Sequence, residues 1–344
     1  MKLSILIPMY NAENYIGNCL ESLIHQDLAE QDYEIIIMDD GSNDSSVKIV
    51  NNYLKAHKNI VLHVASNSGA YTTRNKLLKL AKGEYIYNLD ADDYLVHNSL
   101  GKLLEIVTDN QLDILGFKTK ETSDLTDYKL LEPIRTHDAI ISTGTEFVEN
   151  NRHSRHEIWW YFIKKDFLDE INITFNKNEY NADVLFTLLV FLKAETVAYV
   201  PCSIHRYVQT QDSLMRSNNF EIISKRFGYI QMMISNTSKL INELKKESNI
   251  YNKTIINNIT FRRDVFTFFN ITDMITAHFK TKYIKEKIAL FKEVKAYPIT
   301  NFIGHEYNSL YYRLLVFIIN KESILYLIIS LKNATRNIIS IKKE

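Results

Sequence analysis

Three carboxylates fall within four positions in LDADDY, residues 89–94, directly behind the apolar run EYIYN. Asp90, Asp92 and Asp93 crowded in this way repel one another, so the stretch calls for a cation or a chemistry that offsets the charge. A D-x-D at a strand end suits Mg²⁺ or Mn²⁺. Such an ion takes one or two carboxylates and completes its shell with substrate phosphate oxygens and water. A second acidic pair, Asp39 and Asp40, closes an earlier apolar run, EIIIMD. Acidic clusters beside an anionic phosphate require a metal between them, and the reading that follows is a metal-bound nucleoside diphosphate. Solvated turn carboxylates are the plainer alternative. The glycine signatures of dinucleotide and P-loop sites, G-x-G-x-x-G and G-x-x-x-x-G-K-[ST], are both missing, which removes those two nucleotide readings.

The elements that must hold these residues follow from periodicity. Apolar runs at 3–7, 34–39, 59–64 and 84–90 alternate with helical patterns, predicting a βαβαβαβ order. Ile16, Cys19, Leu20, Leu23 and Ile24 mark one helical face, and Val47, Val50 and Leu54 another, with Ser42, Asn43 or Asp44 available to cap the second helix. Parallel strands joined by crossover helices form an open sheet that binds ligands outside the carboxyl ends of its strands. PMYN, DDGSND and LDADD occupy those ends.

From about residue 100 to 215 the pattern is less regular, with a polar stretch from Lys118 to Asp138, a Trp159–Trp160 pair and the amphipathic ADVLFTLLVFLKAE, and this half reads as built onto the sheet. Beyond residue 218 the chain reads as helical, with Pro298 marking a break between helices.

With 344 residues, 46% of them hydrophobic, the chain supplies a core for one large domain or two smaller ones. Lys plus Arg equals Asp plus Glu at 41 each, so no global field favours nucleic acid, and no nucleic-acid partner is expected. Only two cysteines occur, Cys19 and Cys202, which fits a reducing cytosol. Near the end, LLVFIIN and ILYLIISL are separated by Asn320, Lys321, Glu322 and Ser323, and neither approaches the roughly 20 apolar residues a spanning helix needs. Lys321, Lys332, Arg336, Lys342 and Lys343 would let that tail lie on an anionic membrane surface, against the alternative of a packed terminal helix.

The segments SILIPMYNAENYIGNCLESLIHQ, YEIIIMDDGSNDSS and NSGAYTTRNKLLKLAKGEYIYNLDADD, in this order, resemble the N-terminal half of family-2 glycosyltransferases. The likeness covers residues 1–217 and fades after them. It implies an α/β fold of GT-A type, a Rossmann-like mixed sheet flanked by helices, with a C-terminal helical region. It divides residues 1–217 into a nucleotide-sugar half (1–100) and an acceptor half (101–217), and the helical pattern beyond them makes residues 218–344 an accessory helical region. It implies that Pro8, Tyr10 and Glu13 line the base pocket and that Asp40 accepts the imide N–H of a uracil, beside the turn at Gly41. Asn67, Gly69 and Arg74 would lie near the sugar nucleotide, and Asp90 near the ribose or a metal-bound water. Asp92 would bind the metal, with His205 as a further ligand, while Asp93 orients the loop or the sugar. Arg216 would clamp phosphate.

By the same likeness Asp183 is the general base, although Ala182 stands where the family usually has Glu, and Glu179 one turn earlier would reach the acceptor in its place. Trp159 and Trp160 would pack an acceptor sugar. The expected activity is metal-dependent, inverting transfer from a nucleotide sugar, UDP-linked by the Asp40 reading, to a hydroxyl of a glycan or lipid-linked acceptor in surface-polysaccharide synthesis. The expected setting is the cytoplasm or the inner membrane face. Two alternatives stay open: a catalytically inactive sugar-nucleotide-binding scaffold, hinted at by Ala182, and a nucleotidyltransferase, which would want a basic glycine-rich loop where IPMYNAENY stands.

Overall fold

The computed structural model describes residues 1–131, 133–135, 139–176, 182–210, 220–247, 250–304 and 307–341. The chain divides into two compact units, Met1–Ser217 and Asn218–Glu344.

In the first unit, β1 (Leu3–Met9), β2 (Tyr33–Asp39), β3 (Ile60–Val64) and β4 (Tyr85–Asn88) are parallel in the order β3-β2-β1-β4. Between them run α1 (Ile16–Ile24), α2 (Ser46–Tyr53) and α3 (Ala70–Leu80). All seven residues of β2 are buried, Glu34 and Asp39 among them, as in a parallel strand covered on both faces. The stripe on α1 is buried as Ile16, Cys19, Leu20 and Leu23. None of the three capping candidates is the N-cap of α2: that position is Ser45, which makes no side-chain cap bond, and Asp44 Oδ1 accepts the Ser46 N–H at 3.0 Å in the turn leading into the helix.

The sheet then continues beyond β4. The following elements are β5 (Tyr94–Leu95), α4 (Leu100–Asp109), β6 (Ile114–Thr122), β7 (Ile140–Ser142), α5 (Gly144–Asn150), β8 (Tyr161–Lys164), α6 (Lys165–Ile171), α7 (Ala182–Lys193) and β9 (Val197–Val208). They extend the order as β4-β8-β6-β9-β5, with β7 on β9. β8 is antiparallel to both β4 and β6, whereas β6 and β9 run parallel. The result is one mixed sheet of nine strands with a shared core that includes Ile5, Leu20, Ile35, Leu115, Phe162 and Val200. Because β4 pairs with β8 and β5 with β9, residues on either side of position 100 belong to the same sheet.

The second unit contains α8 (Phe220–Leu244), α9 (Lys253–Thr276), α10 (Thr281–Glu293), α11 (Leu310–Asn320) and α12 (Glu322–Ile341). Phe227, Ile234, Phe268, Met274, Ile288 and Phe291 form its core. Pro298 lies in the break between α10 and α11. Asp264 pins that break to α9. It is fully buried, pairs with Arg263 at 2.6 Å, and accepts the N–H groups of Thr300 and Asn301 at 3.0 and 2.7 Å. No single helix among the described residues is long and apolar enough to cross a membrane, and α11 meets the first part of α12 at 98°.

Candidate active site

The acidic cluster is made by a turn at the carboxyl end of β4. Leu89 N–H donates to Leu6 O at 3.0 Å, extending the ladder by one residue, and Asp93 N–H then donates to Asp90 O at 3.1 Å. That i to i+3 bond closes a β-turn with Ala91 and Asp92 at its centre. Carboxylate oxygens of Asp90, Asp92 and Asp93 come within 4.8 Å of one another. Burial, followed by repulsion from Asp93 and Asp90, pushes Asp92 up to about 8. Burial and Asp90 likewise raise Asp93. Arg74 offsets only part of this charge, and the oxygen donor set of the three carboxyls is that of a hard divalent cation. The three residues therefore fit Mg²⁺ or Mn²⁺.

The three are not equivalent. Asp93 is 1% exposed; its Oδ1 accepts the Val208 N–H at 2.8 Å, and its Oδ2 lies 3.1 Å from His205 Nε2. Asp92 is only partly buried, and Asp90 is bonded to Arg74. A cation arriving from solvent would meet Asp92 and Asp90, while Asp93 ties the turn to β9.

His205, expected as a metal ligand, is placed against Asp93 and outside the group of three carboxylates. Burial drives its pKa down to about 3, so the ring is neutral. Its Nδ1 lies 3.3 Å from Thr119 Oγ1, and its face stacks on Trp159 at 4.5 Å. Trp159 is itself covered by Tyr207 and by Arg155, whose guanidinium stands 5.1 Å from the ring centroid. Trp160 stacks on Phe147 and Phe191. At 4% and 3% exposure, neither indole offers an open ring to an acceptor sugar: both are packing residues here, Trp159 behind His205 and Trp160 in the core.

The other predicted donor residues gather at the carboxyl ends of β1 and β2. Tyr10 is 51% exposed, Pro8 sits in β1 opposite Met38, and the loops around them are laced together. Glu13 Oε2 accepts the Ser45 N–H at 2.8 Å, Glu13 N–H donates to Asp44 Oδ2 at 3.0 Å, and Asn11 exchanges bonds with Ser42 and Asn43. Asp40 is 4% exposed and braces the next loop: its oxygens accept Ser68 N–H at 2.8 Å and Gly69 N–H at 2.9 Å. Asn67 and Gly69 are exposed on that loop. Gly41 has φ +84° and Gly69 φ +88°, conformations that L side chains rarely adopt, and a Cβ on Gly41 would stand 3.1 Å from Asn67 N.

α3 joins these parts. Arg74 is buried and bonded to Asp90, yet its Nε and Nη1 have no hydrogen-bond partner. A buried guanidinium with unused donors beside an acidic turn carries an unmet hydrogen-bonding demand. Asp183 stands in the first turn of α7, next to buried Ala182. Its Oδ1 accepts the Tyr71 hydroxyl at 2.8 Å. Burial lifts Asp183 to about 6 against the opposing effects of the Tyr71 bond and Arg74. Tyr71 is a residue that sequence reasoning passed over; its only signal is the three-residue spacing to Arg74, which puts both on one helical face. Glu179 and Arg216 lie outside the described residues.

With this geometry in place, residues 4–177, slightly more than half of the chain, match the pattern described as glycosyl transferase family 2. The chain belongs to that family. Among its family-2 relatives, a poly(ribitol-phosphate) beta-glucosyltransferase of Bacillus spizizenii is 43% identical over 122 residues, 35% of this chain and 19% of that protein. The uncharacterized glycosyltransferase EpsJ of Bacillus subtilis is 34% identical over 220 residues, 61% of this chain and 62% of that one. The chain thus spans less than two thirds of either relative. In fold it is similar to S. aureus TarS residues 1–349 in complex with UDP-GlcNAc, with a TM-score of 0.57, 19% identity, and coverage of 86% of this chain and 89% of that one. The nine-stranded mixed sheet with flanking helices is accordingly a GT-A arrangement.

Proposed function

We propose that this family-2 protein transfers a sugar from a nucleotide-sugar donor to a hydroxyl of a glycan or lipid-linked acceptor, with inversion, in surface-polysaccharide synthesis. The observation that carries this is the pairing, through the Tyr71–Arg74 face of α3, of an acidic turn suited to a metal with a carboxylate whose pKa of about 6 suits a general base. Tyr10 presents a stacking face to the base, and Arg74 offers unused donors to the diphosphate. A UDP-linked donor is the favoured one: TarS, which shares the fold, is known in complex with UDP-GlcNAc, and the poly(ribitol-phosphate) relatives point to an anionic polymer as acceptor.

Asp92 and Asp90 would hold a divalent cation, which when bound neutralises charge on the departing diphosphate. Asp183 Oδ2, the oxygen not engaged by Tyr71, takes the proton of the acceptor hydroxyl as its oxygen bonds to the anomeric carbon. The bond from that carbon to the phosphate oxygen breaks in the same displacement, and the diphosphate leaves with the electron pair. One displacement inverts the carbon.

The test is a mass-spectrometric transfer assay over a panel of nucleotide sugars, with and without Mn²⁺, on the wild type and Asp183→Asn. Metal-dependent product of inverted configuration, absent in the variant, is expected. Donor binding with no transfer from any of the panel would return the inactive-scaffold reading.

A further inference from the structure

Asp183 opens a helix and is held from outside it. The contacts come from one face of α3. Tyr71 donates to Asp183 Oδ1 at 2.8 Å, and its ring lies 5.7 Å from Phe175, which stacks on Phe186 of α7 at 4.0 Å. Asn75, four residues on, clasps the backbone of Phe175 with both ends of its amide: Nδ2 donates to Phe175 O at 2.7 Å, and Oδ1 accepts Phe175 N–H at 3.0 Å. Arg74, on the same face, bonds Asp90. One helical face therefore touches the acidic turn, the segment leading to α7 and the candidate base.

We propose that Tyr71 is a positioning residue of the transfer reaction, its hydroxyl fixing Asp183 so that Oδ2 is turned to the acceptor. This rests on Asp183 being the base. The groups facing Asp183 are Tyr71 and Arg74 from α3, Asp90 from the turn after β4, and Glu157 from the segment before β8. Tyr71 and Arg74 favour the charged carboxylate; burial, Glu157 and Asp90 oppose it. The Tyr71 phenol is itself raised by burial and by Asp183, so it stays protonated and remains a donor across the working range. A hydrogen bond to the anionic form lowers a carboxyl's pKa, and losing it raises that pKa.

The experiment is the pH profile of kcat/KM for Tyr71→Phe, Asn75→Ala and Asp183→Asn beside wild type. The Phe variant keeps the ring against Phe175 and removes only the hydroxyl. As a base, Asp183 must be deprotonated, so wild-type kcat/KM rises with pH through the acid limb. In Tyr71→Phe that limb moves up by about one pH unit, giving about a fivefold loss at pH 6 that fades by pH 8.5, with donor KM unchanged. Asn75→Ala, which loosens the same helix without touching Asp183, lowers thermal stability and leaves the limb in place. An unmoved limb in Tyr71→Phe, or the same uniform loss at every pH in both variants, overturns the proposal. Asp183→Asn separates the two levels: if it retains transfer, the base assignment has failed; if it is inactive while the limb of Tyr71→Phe is unmoved, only the role of Tyr71 has.

Discussion

Asp90, Asp92 and Asp93 share a turn and differ in what they touch. Asp93 gives Oδ1 to Val208 while its Oδ2, 3.1 Å from His205 Nε2, has no hydrogen-bond partner; Asp90 is engaged by Arg74, and Asp92 is left partly exposed with burial and its neighbours pushing it up to about 8. A carboxyl whose folded pKa is raised favours the protonated folded state, so its contribution to stability is full below the unfolded value near 4 and is lost as pH rises through about 8. At pH 8 the metal-free Asp92→Asn protein is therefore expected to melt higher than wild type, by about 2–4 °C for each kcal/mol of relieved repulsion. On the proposed metal and donor reading, Mn²⁺ with UDP is expected to stabilise the wild type and not the variant. Differential scanning fluorimetry reads both, and an unaltered Mn²⁺ response in the variant would take Asp92 out of the metal site. The crowding of these carboxylates was legible from spacing alone. Their division of labour was not, because it depends on Val208 and His205, more than a hundred residues away in the chain.

At the level of elements, the first four strands were readable because parallel strands carry dense apolar stretches, such as Ile35–Met38 in β2. The second half resisted. β5 has two residues, β7 three and β8 four, too few to show a period, and their partners are set by long-range pairing that no local pattern encodes. The indoles were misleading for a related reason: WW beside a short strand looks like a binding motif, but one ring packs behind His205 and the other against Phe147 and Phe191. The loops after β1 and β2 were legible as polar strand ends, though the lacing of Asn11, Glu13 and Asp44 across them was not. Gly41 is where that lacing depends on backbone freedom. Gly41→Ala places a Cβ at positive φ and 3.1 Å from Asn67 N, and is expected to cost about 1–2 kcal/mol in urea unfolding and to weaken nucleotide binding. A variant of wild-type stability would mean that the 41–67 contact is slack.

At the scale of the whole molecule, the helical unit has its own core and a face that the core does not use. Leu310, Leu314 and Phe317 on α11 and Leu327 and Leu331 on α12 are each more than half exposed. Arg313 and Lys321 are exposed on the same pair of helices, and the Lys321 ammonium stands 6.0 Å from the Phe317 ring centroid. Apolar side chains flanked by cations match an anionic lipid surface, and neither helix is by itself both long and apolar enough to cross one. We propose that this face rests on such a surface. Vesicles containing anionic lipid should co-sediment the protein, neutral vesicles should do so far less, and Leu314→Glu with Phe317→Glu should abolish the difference. Equal binding to both vesicle types, or a dimer that buries this face in place of lipid binding, would contradict it.

The central claim is that Asp183 takes the acceptor proton, and the transfer rate of Asp183→Asn under saturating donor and Mn²⁺ tests it most directly. General-base assistance contributes about 10²–10⁴-fold, so a loss of that size with donor affinity intact is the expected result. A variant transferring within a few-fold of wild type would contradict it.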